Sequence, residues 1–298
     1  MDLSVIIVNW NTRDMLRECL GTLLQHLGGL EYEVIVVDNG STDGSIEMVV
    51  NRFPDVYVIQ NKENKGFACA NNQAIRASTG RYVLLLNSDA FVEDNSIQRM
   101  VAILDAHPQI AIAGARLVYP DGSLQVSHGP LPTLTIERLR LFGLDKLFQK
   151  RQPAQNTVEF IETGTVEGAC LLSRRHALDQ FGLMDEDFFF FNEEVDLCCR
   201  AQLNGWKVVY IPETRVVHVR GGSTGVVPRR ILLLYRAKMQ YFCKHFGNEA
   251  QAKLYKTMIL ATNIKVVIYT ALRIASLGRA EKDVLWKEVS RGLEEFKD

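Results

Sequence analysis

Residues 82–91 read YVLLLNSDAF. From Val83 to Leu86 four consecutive positions are apolar, as in a strand covered on both faces. The run stops on an amide, a hydroxyl and a carboxylate at Asn87, Ser88 and Asp89, with no turn glycine beside them. Each of those groups costs free energy when buried without a partner. The three therefore stand at an exposed edge or hold something.

The stretches upstream repeat the pattern. SVIIVNW (4–10), EVIVVDNG (33–40) and VYVIQN (56–61) read as strands. Between them TRDMLRECLGTLLQHL (12–27), DGSIEMVVNRF (43–53) and GFACANNQAIRAST (66–79) read as helices, the first with Met15, Leu16, Cys19, Leu20, Leu23, Leu24 and Leu27 at helical spacing. Continuous apolar strands alternating with helices predict an α/β fold, a mostly parallel central sheet flanked by helices. Ligands of such sheets gather at the carboxyl ends of the strands. Three of the four early strands end in polar residues: Asn9 and Asn11, then Asp38-Asn39-Gly40, then Asn87-Ser88-Asp89. Asn-Gly alone is a good turn, and one such end would mean little. Three make a polar floor.

With 298 residues, 47% of them hydrophobic, the chain can bury a sizeable core. MDLSVIIVNW lacks the basic lead of a secretory signal, and no uninterrupted apolar run of about 18 residues predicts a transmembrane helix. Six cysteines without a CxxC pair fit reduced thiols in a cytoplasmic protein better than a disulfide framework or a zinc site. The net charge of −1 hides an asymmetry: residues 1–219 hold 19 Lys and Arg against 28 Asp and Glu, whereas residues 220–278 hold 10 against Glu249 alone. A basic segment beside an acidic body suggests a phosphate-bearing partner or an anionic membrane surface. An ordinary solvated helical face would look the same.

No GxxxxGK[ST] is present and no GxGxxG follows the first strand, which excludes the P-loop and Rossmann fingerprints. A nucleotide lying over the first two strands would have Asp38 accepting from a base N–H or a ribose hydroxyl. Asp89 would carry a divalent cation, Mg²⁺ or Mn²⁺, bridging a pyrophosphate. That is the arrangement of a nucleotide-sugar site.

VVDNGSTDGS (36–45), NKGFACANN (64–72), LLLNSDAF (84–91) and FFFFNEEVDLCCR (188–200) together resemble family 2 glycosyltransferases. The nearest branch is the rhamnosyltransferase-like one that builds bacterial surface polysaccharides. The likeness runs from about residue 3 to 223 and implies a GT-A-type nucleotide-diphospho-sugar transferase fold. It implies donor contacts from Asn9, Asn11, Asp38, Asn64, Gly66, Asn71, Asn72, Asn87, Ser88 and Arg220. The family's DxD motif reads Asn87-Ser88-Asp89 here, so Asp89 is the implied metal ligand and Asn87, an amide, turns to the donor.

The family also places an acidic pair, usually Glu-Asp, where this chain has Glu193-Glu194, with the second member as general base. A plausible N-cap at Asn192 would put both at a helix start, where carboxylates otherwise merely complement the dipole. Glu for Asp moves the carboxylate by about one methylene, and a displacement of about 1 Å can cost a hundredfold in rate. Glu194 is preferred as base over Glu193. Phe188–Phe191 are expected beneath that helix or, for most of these rings, simply in the core. His218, where a strand runs into Arg220-Gly221-Gly222-Ser223, matches the histidine that completes the metal site in related enzymes, and that loop could wrap a diphosphate.

The expected organisation is a glycosyltransferase domain over 1–223 and a basic, amphipathic helical extension over 224–298. Residues 125–160, interrupted by proline, suit an acceptor lid, a membrane-facing helix or a surface helix. Residues 224–278 suit peripheral membrane contact or a homodimer interface, two readings left equal. The implied reaction is inverting transfer from a nucleotide-diphospho-sugar, dTDP-rhamnose or a UDP-sugar, to a glycan or lipid-linked acceptor, with no nucleic-acid partner. A nucleotidyltransferase would want a glycine-rich triphosphate loop after the first strand, which NWNTRDML lacks. A catalytically impaired scaffold that binds nucleotide-sugar is the alternative, kept open by Asn87 and Glu194.

Overall fold

A computed structural model describes residues 1–144, 158–220, 227–274 and 280–297. The chain divides into two compact units, one of Met1–Leu131, Pro153–Phe189 and Glu193–Ser223, the other of Pro132–Gln152, Phe190–Asn192 and Thr224–Asp298.

In the first unit, β1 (Leu3–Asn9), α1 (Arg13–Gln25), β2 (Tyr32–Asp38), α2 (Ser45–Arg52), β3 (Tyr57–Gln60), α3 (Phe67–Ala77) and β4 (Tyr82–Asn87) alternate as the periodicity predicts. β5 (Ala90–Val92), α4 (Ser96–Ala106), β6 (Ile110–Val118), β7 (His128–Gly129), β8 (Ile161–Glu162), β9 (Thr165–Val166), β10 (Cys170–Arg174), α6 (Arg175–Phe181), α7 (Glu193–Leu203) and β11 (Lys207–His218) follow, with α5 (Leu134–Leu141) belonging to the second unit. Among the described residues the main sheet has the order β3-β2-β1-β4-β10-β6-β11-β5, with β8 pairing β11. Its first half is parallel throughout, while β10, β5 and β8 run antiparallel to their neighbours, so the sheet is mixed. The apolar runs are continuous because both faces are covered. Val5 and Ile7 pack with Leu16, Leu20 and Leu23 of α1, whereas Ile6 faces the cluster that holds Ala70 and Ala74 of α3.

Register positions the site. Asn9 lies opposite Asp38, Val8 opposite Asn87 and Asp38 opposite Gln60, so the polar ends of β1, β2 and β4 form one continuous edge. After Asn87 the chain turns into β5, which pairs antiparallel with the end of β11 and sets His218 opposite Ala90. No disulfide forms among the described residues.

The second unit is helical. α8 (Val227–Ile274) is broken at Gly247, whose φ of 81° and ψ of 172° are not helical, so the expected pair of helices meets there. α9 (Ala280–Glu294) runs antiparallel to its second arm: Tyr255 meets Leu293, Ser290 meets Asn263 and Asp283 meets Thr270. A Cβ on Gly292 would stand 2.3 Å from Leu232, so the glycine permits close helix approach. α5 packs on α8 through buried Glu137, which pairs with Arg140 and Lys238. That favours the docked-helix reading for 134–141, while Lys146, Lys150 and Arg151 lie outside the described residues. α8 is long and apolar enough to cross a membrane by length and composition, unlike the sequence expectation, because that expectation allowed no interruption by charge.

Candidate active site at the strand ends

Each polar end is tied to its neighbour. Asn9 donates through Nδ2 to Asp38 Oδ1 at 2.8 Å and to Ser41 Oγ at 3.0 Å, and its Oδ1 accepts from Thr12 Oγ1 at 2.7 Å. Asp38, 1% exposed, accepts from the Ser41 amide through its other oxygen at 2.9 Å. Asn11, at φ 53°, donates its backbone N–H to Ser41 Oγ, and its side-chain oxygen accepts from the Thr42 amide. The Thr12 and Ser88 hydroxyls lie 2.8 Å apart and join this network to the end of β4. Asn9, Asp38 and Ser88 thus shape the floor.

The NKGFACANN segment is built for support. Asn64 Oδ1 accepts from the Gly66 amide at 2.9 Å and from Asn39 Nδ2 at 3.3 Å. Gly66, at φ 88°, leaves room for the Phe189 carbonyl, which a Cβ there would meet at 2.8 Å. Asn71 donates to the Phe67 carbonyl one turn back at 2.9 Å. Asn72 gives its amide hydrogens to the Met184 carbonyl and Glu186 and accepts from the Met184 amide. With both hydrogens committed to the 184–186 loop, Asn72 has none to offer a ligand.

Beyond Ser88 the charge begins. Asp89 and His218, 8% and 6% exposed, face each other with Oδ1 and Nε2 3.3 Å apart. Asn87 Nδ2 stands 3.5 Å from the same ring nitrogen. β5 and β11 bring these residues together from opposite ends of the domain. A carboxylate and an imidazole, with diphosphate oxygens completing the shell, fit Mn²⁺ or Mg²⁺. Among the described residues no group of three His, Cys, Asp or Glu is arranged to hold a metal unaided. Arg220 is exposed just beyond, at φ 60°, and Gly221-Gly222-Ser223 lie outside the described residues.

Glu193 and Glu194 open α7. Phe191 and Asn192 before them hold φ values of 74° and 66°, so Asn192 is left-handed rather than extended like an ordinary N-cap. Burial, followed for Glu194 by the charges of Glu193 and Glu167, pushes both carboxyls above the usual range. Glu193 Oε2 is buried without a hydrogen-bond partner. Such a pair holds its protons to a higher pH than ordinary exposed carboxylates do, the direction a general base needs. The α7 helix is braced by Arg200, which bridges Asp196 and the carbonyls of Phe181, Gly182 and Leu183. Phe188 is buried, Phe189 is half exposed, and the Phe190 and Phe191 rings meet edge to face.

Four residues escaped sequence reading. Thr12 and Ser41 stitch the floor, and Ser41 lay within a quoted motif. Trp10, 39% exposed between Asn9 and Asn11, offers an aromatic face. Gln125 touches His218, and no motif marks it.

A family model described as glycosyl transferase family 2 matches residues 4–182. An N-acetylglucosaminyl-diphospho-decaprenol L-rhamnosyltransferase of Mycobacterium tuberculosis is 31% identical over 235 residues, covering 72% of this chain and 76% of that one. Among solved structures, the mannosyltransferase PcManGT of Pyrobaculum calidifontis, in complex with GDP-Man and Mn²⁺, superposes with a TM-score of 0.59 at 16% identity, covering 98% of this chain and 84% of that one. Residues 1–349 of S. aureus TarS in complex with UDP give 0.55 at 17% identity, covering 100% and 91%. At such identities the two structures speak for the fold alone.

Proposed function

This chain belongs to glycosyl transferase family 2, and from that premise we propose that it transfers a sugar, with inversion, from a nucleoside-diphosphate donor to a lipid-linked glycan. It is a glycosyltransferase of glycan biosynthesis. The Mycobacterium tuberculosis relative supports rhamnose as the sugar and a polyprenyl diphosphate glycan as acceptor; dTDP-rhamnose is the proposed donor, with a UDP-sugar as its competitor.

The observation that carries this reading is the Asp89–His218 pair, 3.3 Å apart at the end of the Asn9–Asp38–Ser88 floor. Nucleobase and ribose lie over the floor, with Trp10 offering a stacking face. Asp89 and His218 would hold a divalent cation, which supplies Lewis-acid stabilisation to the departing diphosphate. Arg220 and the Asn87 amide stand beside that leaving group. On the other side of the sugar Glu194 takes the proton of the acceptor hydroxyl as its oxygen bonds to the anomeric carbon. The bond to the diphosphate oxygen breaks in the same step, so the configuration inverts and no covalent enzyme intermediate forms. Glu193 stays beside it as a second carboxylate that raises its basicity.

The α8 surface supports attachment to the inner face of the membrane. Leu260, Ile264, Val267, Ile268 and Ile274 fall on one helical face, at spacings of three, four and seven residues, and are 55, 40, 68, 49 and 75% exposed. α8 carries nine Lys and Arg against Glu249 alone. An apolar stripe on a basic helix suits an anionic lipid surface, and the opposite face is taken by α9. The helix lies on the membrane in this reading. A homodimer through the same stripe is the competing occupant.

The deciding experiment is calorimetric titration of UDP and dTDP, with and without Mn²⁺, into wild type and Asp89→Ala. Metal-dependent binding lost in the variant is expected, and the tighter nucleotide names the donor class. Folded wild type that binds neither would sink the donor site. The amide at Asn87 keeps a second reading, a donor-binding subunit of weak turnover, which predicts nucleotide binding without transfer.

A further inference from the structure

The neighbour of His218 decides which of its ring nitrogens faces Asp89. Residues 119–123, YPDGS, fold β6 back on itself: the Gly122 amide donates to the Tyr119 carbonyl, the Tyr119 amide donates to the Ser123 carbonyl, and Gly122 takes φ 81°. Proline, aspartate and glycine in that order are the residues such a turn requires. The returning strand bridges Leu124 to Val118, and the Gln125 amide donates to the Leu117 carbonyl at 3.0 Å. The turn thus delivers Gln125, 2% exposed, against the last residue of β11.

The amide end of Gln125 is identified by what it touches. Its Nε2 donates to the Val118 carbonyl at 3.3 Å and to the backbone carbonyl of His218 itself. Carbonyl oxygens only accept, so the group facing them must be the NH₂, and the side-chain oxygen must point the other way. That oxygen lies 3.0 Å from His218 Nδ1. An amide oxygen only accepts as well, so Nδ1 carries a hydrogen. In the neutral ring the bare nitrogen is then Nε2, the atom 3.3 Å from Asp89 Oδ1 and 3.5 Å from Asn87 Nδ2. Two carbonyls fix the amide, the amide fixes the tautomer, and the tautomer sends a lone pair toward the carboxylate.

We infer that Gln125 is a positioning residue of the donor site, holding His218 in the Nδ1–H tautomer so that Nε2 is the nitrogen offered to a divalent cation. The inference rests on the donor-site reading above and deepens it. A histidine that ligates through one nitrogen while its other N–H is held by an oxygen acceptor is oriented and made more basic by that acceptor. Here the acceptor is a neutral amide whose own orientation is locked, so the ring cannot rotate or switch tautomer without breaking two further hydrogen bonds. Leucine at 125 would fill similar space but remove the hydrogen bonds to the Val118 and His218 carbonyls and to Nδ1–H. Glutamate would keep an oxygen acceptor at Nδ1 while giving up the two carbonyl contacts.

Two measurements test it. Two-bond ¹H–¹⁵N correlation spectra of metal-free, nucleotide-free wild type, at the high-pH plateau of the His218 signal, should show the Nδ1–H pattern. The signal is assigned by its loss in His218→Gln. An Nε2–H pattern overturns the inference, and no substitution at 125 is needed to see it. In parallel, Mn²⁺ is titrated by electron paramagnetic resonance, alone and with UDP or dTDP. Gln125→Leu should weaken Mn²⁺ binding about 10–100-fold, and Gln125→Glu should recover most of that loss. Equal Mn²⁺ affinity in wild type and a folded Gln125→Leu overturns the inference. Wild type that takes up Mn²⁺ under none of these conditions overturns the donor site along with it, whereas an Nε2–H spectrum with intact Mn²⁺ and nucleotide binding removes Gln125 alone.

Discussion

Thr12 and Ser88, 76 residues apart in the chain, hold their hydroxyl oxygens 2.8 Å from each other across the ends of β1 and β4. Thr12 gives its one hydroxyl hydrogen to Asn9, so Ser88 donates across the contact, which links the proposed nucleotide floor to the turn that carries Asp89. Thr12→Val keeps the shape and removes both bonds, leaving the buried Ser88 donor and Asn9 acceptor unmatched. The expected cost is about 1–3 kcal/mol of stability, seen in urea melts, together with weaker nucleotide binding by calorimetry. Unchanged nucleotide affinity would mean that the link serves the fold alone.

The acidic pair sets a pH dependence. Glu193 is pushed up to about 7 by burial, and Glu194 is raised well above the carboxylate range by burial and by its neighbours' charges. A base works only when deprotonated, so kcat/KM should rise with pH through a midpoint far above the usual carboxylate value near 4.3. Stability should run the other way. The folded pair binds protons that the unfolded chain has already lost, so the stabilisation present below about pH 4 fades as pH rises through the folded values. Glu194→Gln should abolish turnover, retain donor binding and flatten the stability profile. Glu194→Gln with full turnover would pass the role of base to Glu193.

Arg200 and Asp196 form a pair in which Asp196 is fully buried. Arg200→Met removes one partner of that charge and frees three carbonyls in the 181–183 turn. The expected loss is about 1–3 kcal/mol, measured by chemical denaturation. A loss under about 1 kcal/mol would show that the turn is held by other contacts.

Gly66 occupies a left-handed φ of 88° against the Phe189 carbonyl. Gly66→Ala forces the Phe189 loop away and strains the backbone, for about 1–3 kcal/mol, and should lower the melting temperature. Equal melting would place the Phe189 carbonyl elsewhere in solution.

The α8 stripe is tested with vesicles. Wild type should sediment with anionic phosphatidylglycerol vesicles and not with phosphatidylcholine, and Val267→Glu with Ile268→Glu should stay in solution. Wild type that ignores vesicles but dimerises through this stripe would hand the surface to a second copy.

The parallel half of the fold was legible because apolar runs at 5–8, 34–37 and 83–86 are separated by helical periods. The strand ends were legible for the same reason, since polar residues closing a buried strand stand out. The antiparallel half was not, because β5, β7, β8 and β9 are two or three residues long and leave no period to read. Motif residues also proved uneven in kind. Asn72 and Asp89 look alike in sequence as polar groups in recognised motifs, yet Asn72 spends its hydrogens on the 184–186 loop while Asp89 faces His218. Partners decide that difference, and they come from more than a hundred residues away.

The pairing of β5 with β11 also sets an order of assembly. A growing chain leaves the ribosome amino end first, and β1 to β4 with their helices can emerge long before β11 is made. The edge proposed to receive the nucleobase can therefore take shape on a nascent chain. The corner formed by Asp89 and His218 must wait until residue 218 is clear of the exit tunnel. A truncated product that stops short of β11 would carry the recognisable strands of the family and still lack the corner proposed above to hold a metal and its diphosphate.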